Sequence, residues 1–125
     1  MKAIVTGGAG FIGSHLVDSL LNENIDVTVL DNFSTGCLEN LKHVQEQIEL
    51  IECDLGVKGD WIQHFINADW VFHLAALADI VPSIQQPEAY FRANVVGTFN
   101  VLQAAKKTEA KRFIYIASSS CYGIP

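Results

Sequence analysis

Apolar residues along this chain recur in two alternating periods. Short runs rich in β-branched and aromatic residues near 2–6, 26–31, 48–53, 69–74 and 112–117 read as strands, and the stretches between them carry helical patterns. Strand and helix in regular alternation predict an α/β domain with a parallel sheet. The runs Trp70-Val71-Phe72-His73-Leu74 and Phe113-Ile114-Tyr115-Ile116-Ala117 are almost continuously apolar, as in strands covered by helices on both faces. An amphipathic stretch from Phe11 to Leu21 follows the first strand. A shorter helix with Trp61, Ile62, Phe65 and Ile66 on one face links strands three and four. Pro87 opens another, with Phe91, Val95, Phe99 and Leu102 on one stripe and Lys106, Lys107 and Lys111 near its end, where cations complement the helix dipole. Right-handed crossovers then give a doubly wound sheet of five strands in the order 3-2-1-4-5. The topological switch, and with it the ligand crevice, falls between strands one and four.

The chemistry begins where the first strand ends. Thr6-Gly7-Gly8-Ala9-Gly10-Phe11-Ile12-Gly13 follows the run Ala3-Ile4-Val5 and leads into the first helix. Residues without a Cβ let the backbone turn tightly and approach a ligand, while the free N–H groups and positive dipole end of the helix attract a pyrophosphate. Gly8, Gly10 and Gly13 thus form a dinucleotide fingerprint within one βαβ unit. Its second half is Asp31, closing the strand Asp26-Val27-Thr28-Val29-Leu30 about 20 residues on, where a carboxylate accepts hydrogen bonds from an adenosine ribose. That acid favours NAD over NADP, because it repels a 2′-phosphate and Asn32, Phe33 and Ser34 offer no arginine to receive one. The rest of the crevice is expected from the strand-four end Leu74-Ala75-Ala76 and from Ser118 to Ser120 after strand five. Read alone, Ala75 and Ala76 fit the start of a helix equally well.

At 125 residues, 50% hydrophobic and 18% charged, the chain is read as one domain, 1–125, with one sizeable core. A net charge of −6 argues against sequence-independent nucleic-acid binding and against adhesion to anionic membranes. The three cysteines, Cys37, Cys53 and Cys121, are odd in number and lack C-x-x-C spacing, so neither a disulfide framework nor a zinc site is expected. No basic-then-apolar leader opens the chain and no apolar run approaches the ~20 residues of a membrane span, which predicts a cytoplasmic location.

Taken together, Thr6-Gly7-x-x-Gly10-x-x-Gly13, Asp31-Asn32, Asp54-Leu55, His73-Leu74-Ala75-Ala76, Asn94 with Gly97-Thr98, and Ser118-Ser119-Ser120-Cys121-Tyr122-Gly123 resemble the extended short-chain dehydrogenases/reductases. The resemblance is to their NAD-dependent nucleotide-sugar epimerase/dehydratase group, and within it to the UDP-hexose 4-epimerases. It implies a Rossmann-type fold. It implies a cofactor site of Gly7, Gly10, Phe11, Ile12, Gly13, Asp31, Asn32, Leu74, Ala75 and Ala76, with Asp54 and Leu55 flanking the adenine and Asn94 positioning the cofactor side. Ser83, Ser118 and Ser119 are implied on the side of a UDP-sugar substrate. In these enzymes a Tyr-x-x-x-Lys tyrosine takes the proton of the sugar 4-hydroxyl while NAD takes hydride from C4, giving a 4-keto sugar that is reduced on its other face. The lysine lowers the tyrosine pKa, and a hydroxyl matching Ser118 hydrogen-bonds the reacting oxygen. Dehydratases of the group carry Asp-Glu, and decarboxylases a Glu, where this chain has Ser119 and Ser120; the resemblance therefore favours an epimerase.

One element of that pattern is missing. Tyr90 is followed at the fourth position by Asn94 and Tyr115 by Ser119, and no fourth position follows Tyr122, so the 125 residues contain no Tyr-x-x-x-Lys. The expectation is a chain truncated relative to the family: its cofactor-binding part, inactive alone, or alternatively a non-catalytic NAD-binding module. Strand five is then an open sheet edge, and self-association, as a homodimer or in another form, is expected to cover it.

Overall fold

The computed structural model describes residues 1–123. Five parallel strands, β1 (Lys2–Thr6), β2 (Asp26–Asp31), β3 (Ile48–Glu52), β4 (Trp70–His73) and β5 (Arg112–Tyr115), form one sheet in the order β3-β2-β1-β4-β5. The sheet matches the predicted order. Period-two alternation sends β1 and β2 side chains to two separate cores. Ala3, Val5, Val27 and Val29 pack with Val17 and Leu20 of α1 (Phe11–Asn22) and with Leu41 and Val44 of a 3₁₀ segment, Leu38–Gln47. Ile4, Leu30 and Val71 pack on the other side with Trp61 and Phe65 of a second 3₁₀ segment, Asp60–Phe65, and with Val101, Ala104 and Ala105 of α4 (Thr98–Lys107).

Two helical expectations need correction. The segment expected as a short helix carrying Trp61, Ile62, Phe65 and Ile66 is a 3₁₀ turn that ends at Phe65, so Ile66 falls past its end and is exposed. The Pro87 helix is built of three pieces: α3 (Pro87–Phe91), a π-helical turn (Arg92–Gly97) and α4. Its large apolar stripe does not face the sheet. Phe91, Val95, Phe99 and Leu102 are all exposed, while Gly97, Val101, Ala104 and Ala105 are buried. Small residues bring the helix axis close to the strands, and only packing decides which of two apolar faces turns inward. A short helix, α2 (Ile80–Gln85), precedes it.

A buried polar chain crosses the sheet beneath the crevice. The Thr98 hydroxyl donates to the Asn94 carbonyl at 2.7 Å, so it accepts from His73 Nε2–H at 2.8 Å. His73 Nδ1 is therefore the acceptor for the Thr6 hydroxyl at 2.7 Å, and Thr6 Oγ1 in turn accepts the Ala75 N–H at 3.3 Å. These contacts assign the Nε2–H tautomer of a neutral ring. Each donor meets an acceptor, and no buried side-chain polar atom among the described residues lacks a partner.

Burial holds the His73 pKa down to about 4. Because the unfolded chain takes up this proton near the ordinary histidine value, it binds more protons than the folded chain below about pH 6.5. Stability is therefore full above that pH and falls by about 2 kcal/mol between pH 6.5 and 5. Asp69 acts lower. Its carboxyl is held below the usual range by the hydrogen bond from Lys111 and by the Lys2 N–H, and this contribution is lost only as pH falls below the ordinary carboxylate range. Urea denaturation across pH 5 to 6.5 is expected to give this slope in the parent and a flat profile in His73→Gln; equal slopes in both would contradict the assignment.

Candidate nucleotide-binding site

At the β1–α1 connection the backbone is shaped by three different glycine constraints. Gly7 has φ +70°, and a Cβ there would meet the Ala75 backbone nitrogen at 2.7 Å. Gly13 lies so close beneath Gly7 that a Cβ would collide with its carbonyl oxygen, and Gly8 is pressed against Val29. Gly10 differs. It is the α1 N-cap with ordinary extended dihedrals, and a Cβ would touch only the Gly7 oxygen at 3.3 Å before entering open space. No side chain caps α1 and no acidic residue lies in its first turn. The opening N–H groups and the positive end of the helix dipole are left for an anion.

Asp31 fixes this loop. Its side chain is buried, and the two carboxylate oxygens accept the Ala9 N–H at 2.9 Å and the Phe33 N–H at 2.8 Å. Each oxygen keeps a further lone pair. The loop and the end of β2 thus open together onto a cavity of about 610 Å³. Gly7, Gly10, Phe11, Ile12, Gly13, Asp31, Asn32, Asp54, Leu55, Leu74, Ala75 and Ala76 all line it. Of the cofactor-side residues implied by the resemblance only Asn94 is absent from it, and Gly8 of the glycine fingerprint packs against Val29 instead. The Asn94 side chain is occupied one layer back, accepting the Leu77 N–H at 2.8 Å and donating to the Leu77 carbonyl at 2.9 Å, which fixes the loop after β4.

The three serines lie off the cavity wall. Ser83 is in α2, where its hydroxyl donates to the Ile80 carbonyl at 2.5 Å. β5 ends at Tyr115, and Ser119 opens a terminal 3₁₀ turn, Ser119–Tyr122, so Ser118 and Ser119 stand beyond the strand end while Ile116 reaches the cavity. The side chain of Ser120 lies outside the described structure. Sequence reading missed Cys53 and Arg92, which also line the cavity. Burial, reinforced by Asp31 and Asp54, pushes the Cys53 thiol up to about 11, so it contributes a neutral wall. Arg92 carried one faint signal, a lone cation within the uncharged stretch Ala89 to Gln103 of an acidic chain.

An uncapped helix start beside a buried acid at the end of β2 is the arrangement of a dinucleotide site, and similarity points the same way. A UDP-glucose 4-epimerase from Thermus thermophilus, solved in complex with NAD, superposes with a TM-score of 0.82 at 36% identity, over 90% of this chain and 36% of that one. A bifunctional UDP-glucose and UDP-xylose 4-epimerase from Pisum sativum is 36% identical over 99% of this chain and 38% of its own length. A UDP-glucuronic acid decarboxylase from Arabidopsis thaliana is 40% identical over the whole of this chain and 28% of its own. The chain thus spans less than two fifths of the length of these relatives. Its loop, its acid and its strand order all fall within a sequence pattern matched over residues 3–125, and the chain belongs to the NAD dependent epimerase/dehydratase family.

Proposed function

We propose that these residues form the NAD-binding part of a nucleotide-sugar 4-epimerase. The observation that carries the reading is the uncapped α1 N-terminus facing the cavity beside the buried carboxylate of Asp31. The open space over Gly10 fits a pyrophosphate, and the remaining lone pairs of Asp31 suit ribose hydroxyls. When bound, NAD supplies the hydride acceptor for oxidation at the sugar. This chain's residues hold and orient it: Gly7 and Gly10 allow close approach, Phe11 and Ile12 present apolar surface, and Leu74, Ala75 and Ala76 leave room on the β4 side. Epimerase is preferred to decarboxylase or dehydratase because Ser119 and Ser120 lack the acidity that managing protons at sugar carbons five and six requires. Ser118 is proposed to hydrogen-bond the reacting sugar oxygen, with Ser83 and Ser119 on the side of a UDP-sugar.

The absence of Tyr-x-x-x-Lys from the 125 residues favours a second reading for this molecule on its own, a binding module without turnover. Given NAD and UDP-glucose, the purified chain is expected to bind the cofactor and release no C4 epimer. Epimer formed by this chain alone would contradict the assignment of the proton-transfer step to residues it does not contain.

Gly10→Val tests the loop itself. The dihedrals suit valine and only the Gly7 oxygen is near, so the fold is expected to survive while the added methyls fill the anion's place. Calorimetry should show NAD affinity reduced at least about tenfold. Equal affinity in both chains would place the ligand elsewhere.

Self-association is part of the proposal. Among the described residues β5 pairs with β4 alone, Tyr115 and Ile116 are exposed, and the stripe of Phe91, Val95, Phe99 and Leu102 adds apolar surface nearby in sequence. Sedimentation equilibrium is expected to give a mass that rises towards a dimer with concentration. A constant monomer mass at high micromolar concentration would show that water tolerates this surface.

A further inference from the structure

The π-helical turn holds two walls of the cavity at once. Residues two apart on a helix point in nearly opposite directions, and here Asn94 secures the loop after β4 while Arg92 reaches the loop after β3. Arg92 Nη2 donates to Asp54 Oδ2 at 2.7 Å, and the other Asp54 oxygen accepts the Gly56 N–H at 2.8 Å. The arginine stem crosses Gly56 so closely that a Cβ there would meet Arg92 Cγ at 2.7 Å and Nε at 3.0 Å. Arg92, Asp54 and Gly56 all line the cavity.

An ion pair this exposed contributes little to folding. Its effect is positional. Asp54 aims the guanidinium, and a guanidinium is a flat, weakly hydrated cation that stacks on aromatic rings. Its place in the sheet indicates which ring. Asp31 ends β2, and β3 lies on the far side of β2 from β1 and β4, so the exit of β3 is where the chain would meet the base attached to the ribose that Asp31 receives.

We propose that Arg92, latched to Asp54 and lying over Gly56, is a clamp that stacks on the purine of an adenine dinucleotide, with Asp54 acting as its positioning residue. This rests on the dinucleotide reading above. Gly56 gives the clamp its height, since any larger residue would lift the arginine stem.

The test is calorimetry on the 125-residue chain with three probes: NAD, ADP-ribose and inorganic pyrophosphate. Arg92→Ala is expected to weaken NAD and ADP-ribose about tenfold, in the range of a lost base-stacking contact, and to leave pyrophosphate unchanged. Arg92→Lys retains a cation without the planar face and is expected to show the same loss. Thermal melting of both variants should match the parent, as removal of an exposed pair implies. Parent-like affinity for NAD in Arg92→Ala, full recovery by Arg92→Lys, or an equal loss with pyrophosphate would each overturn the clamp while leaving the dinucleotide reading intact. Failure of the parent chain to bind NAD or ADP-ribose would overturn both.

Discussion

The carboxylate of Asp31 connects the fold to the site. It is buried at the end of β2, where an unpaired carboxylate would be strongly disfavoured, and it is satisfied by the N–H groups of Ala9 and Phe33. One bond pulls the glycine loop onto the neighbouring strand and the other turns the chain away from β2. Gly7 N–H to the Leu30 carbonyl, at 2.8 Å, completes the join. With the loop fixed at this height, α1 begins with its free N–H groups directed to the cavity. Charge-assisted bonds of this kind are among the stronger hydrogen bonds available to a protein, and here they set the shape of the glycine loop at the cavity.

A second network carries the same logic to the opposite wall. From Ala75 through Thr6, His73 and Thr98 to Asn94, one chain of hydrogen bonds joins β1, β4 and the π-turn. Asn94 passes the constraint to Leu77. The loop after β4 is therefore held from below by Thr6 and from the side by Asn94. A neutral histidine suits this position because it both donates and accepts, whereas the protonated ring would present a second donor to Thr6 Oγ1, whose hydrogen would have to turn away. Below it, the two cores pack β1 and β4 from both faces of the sheet.

Much of this was legible in the sequence because its determinants are local. Glycines at Gly7, Gly10 and Gly13 after a β-branched strand, and an acid at Asp31 ending the next one, define a loop and a strand end without reference to distant packing. The parallel sheet followed from strand and helix alternation, and its order from right-handed crossovers. What escaped depends on tertiary contact. Phe91, Val95, Phe99 and Leu102 have helical spacing, yet Val101, Ala104 and Ala105 win the inward face because small side chains fit closer to the sheet. Periodicity reports that a helix has an apolar face and is silent on which of two is buried. Arg92 carried only a faint signal for a related reason: its contact with Asp54 arises only where a π-turn brings it across Gly56. The serines Ser83, Ser118 and Ser119 were placed by resemblance, and they lie outside the cavity that the local determinants build.

In the proposed reading the α1 N-terminus, the end of β2 and the exit of β3 form one continuous dinucleotide site. Amide-resolved NMR of the chain titrated with NAD tests it most directly. The largest shifts are expected on the backbone N–H groups of Phe11, Ile12 and Gly13, of Asn32 and Phe33 after Asp31, and of Leu55 and Gly56, moving together with one saturation curve. Shifts confined to the other side of α4, around Lys106 to Phe113, or no shift in the glycine loop at saturating NAD, would contradict it.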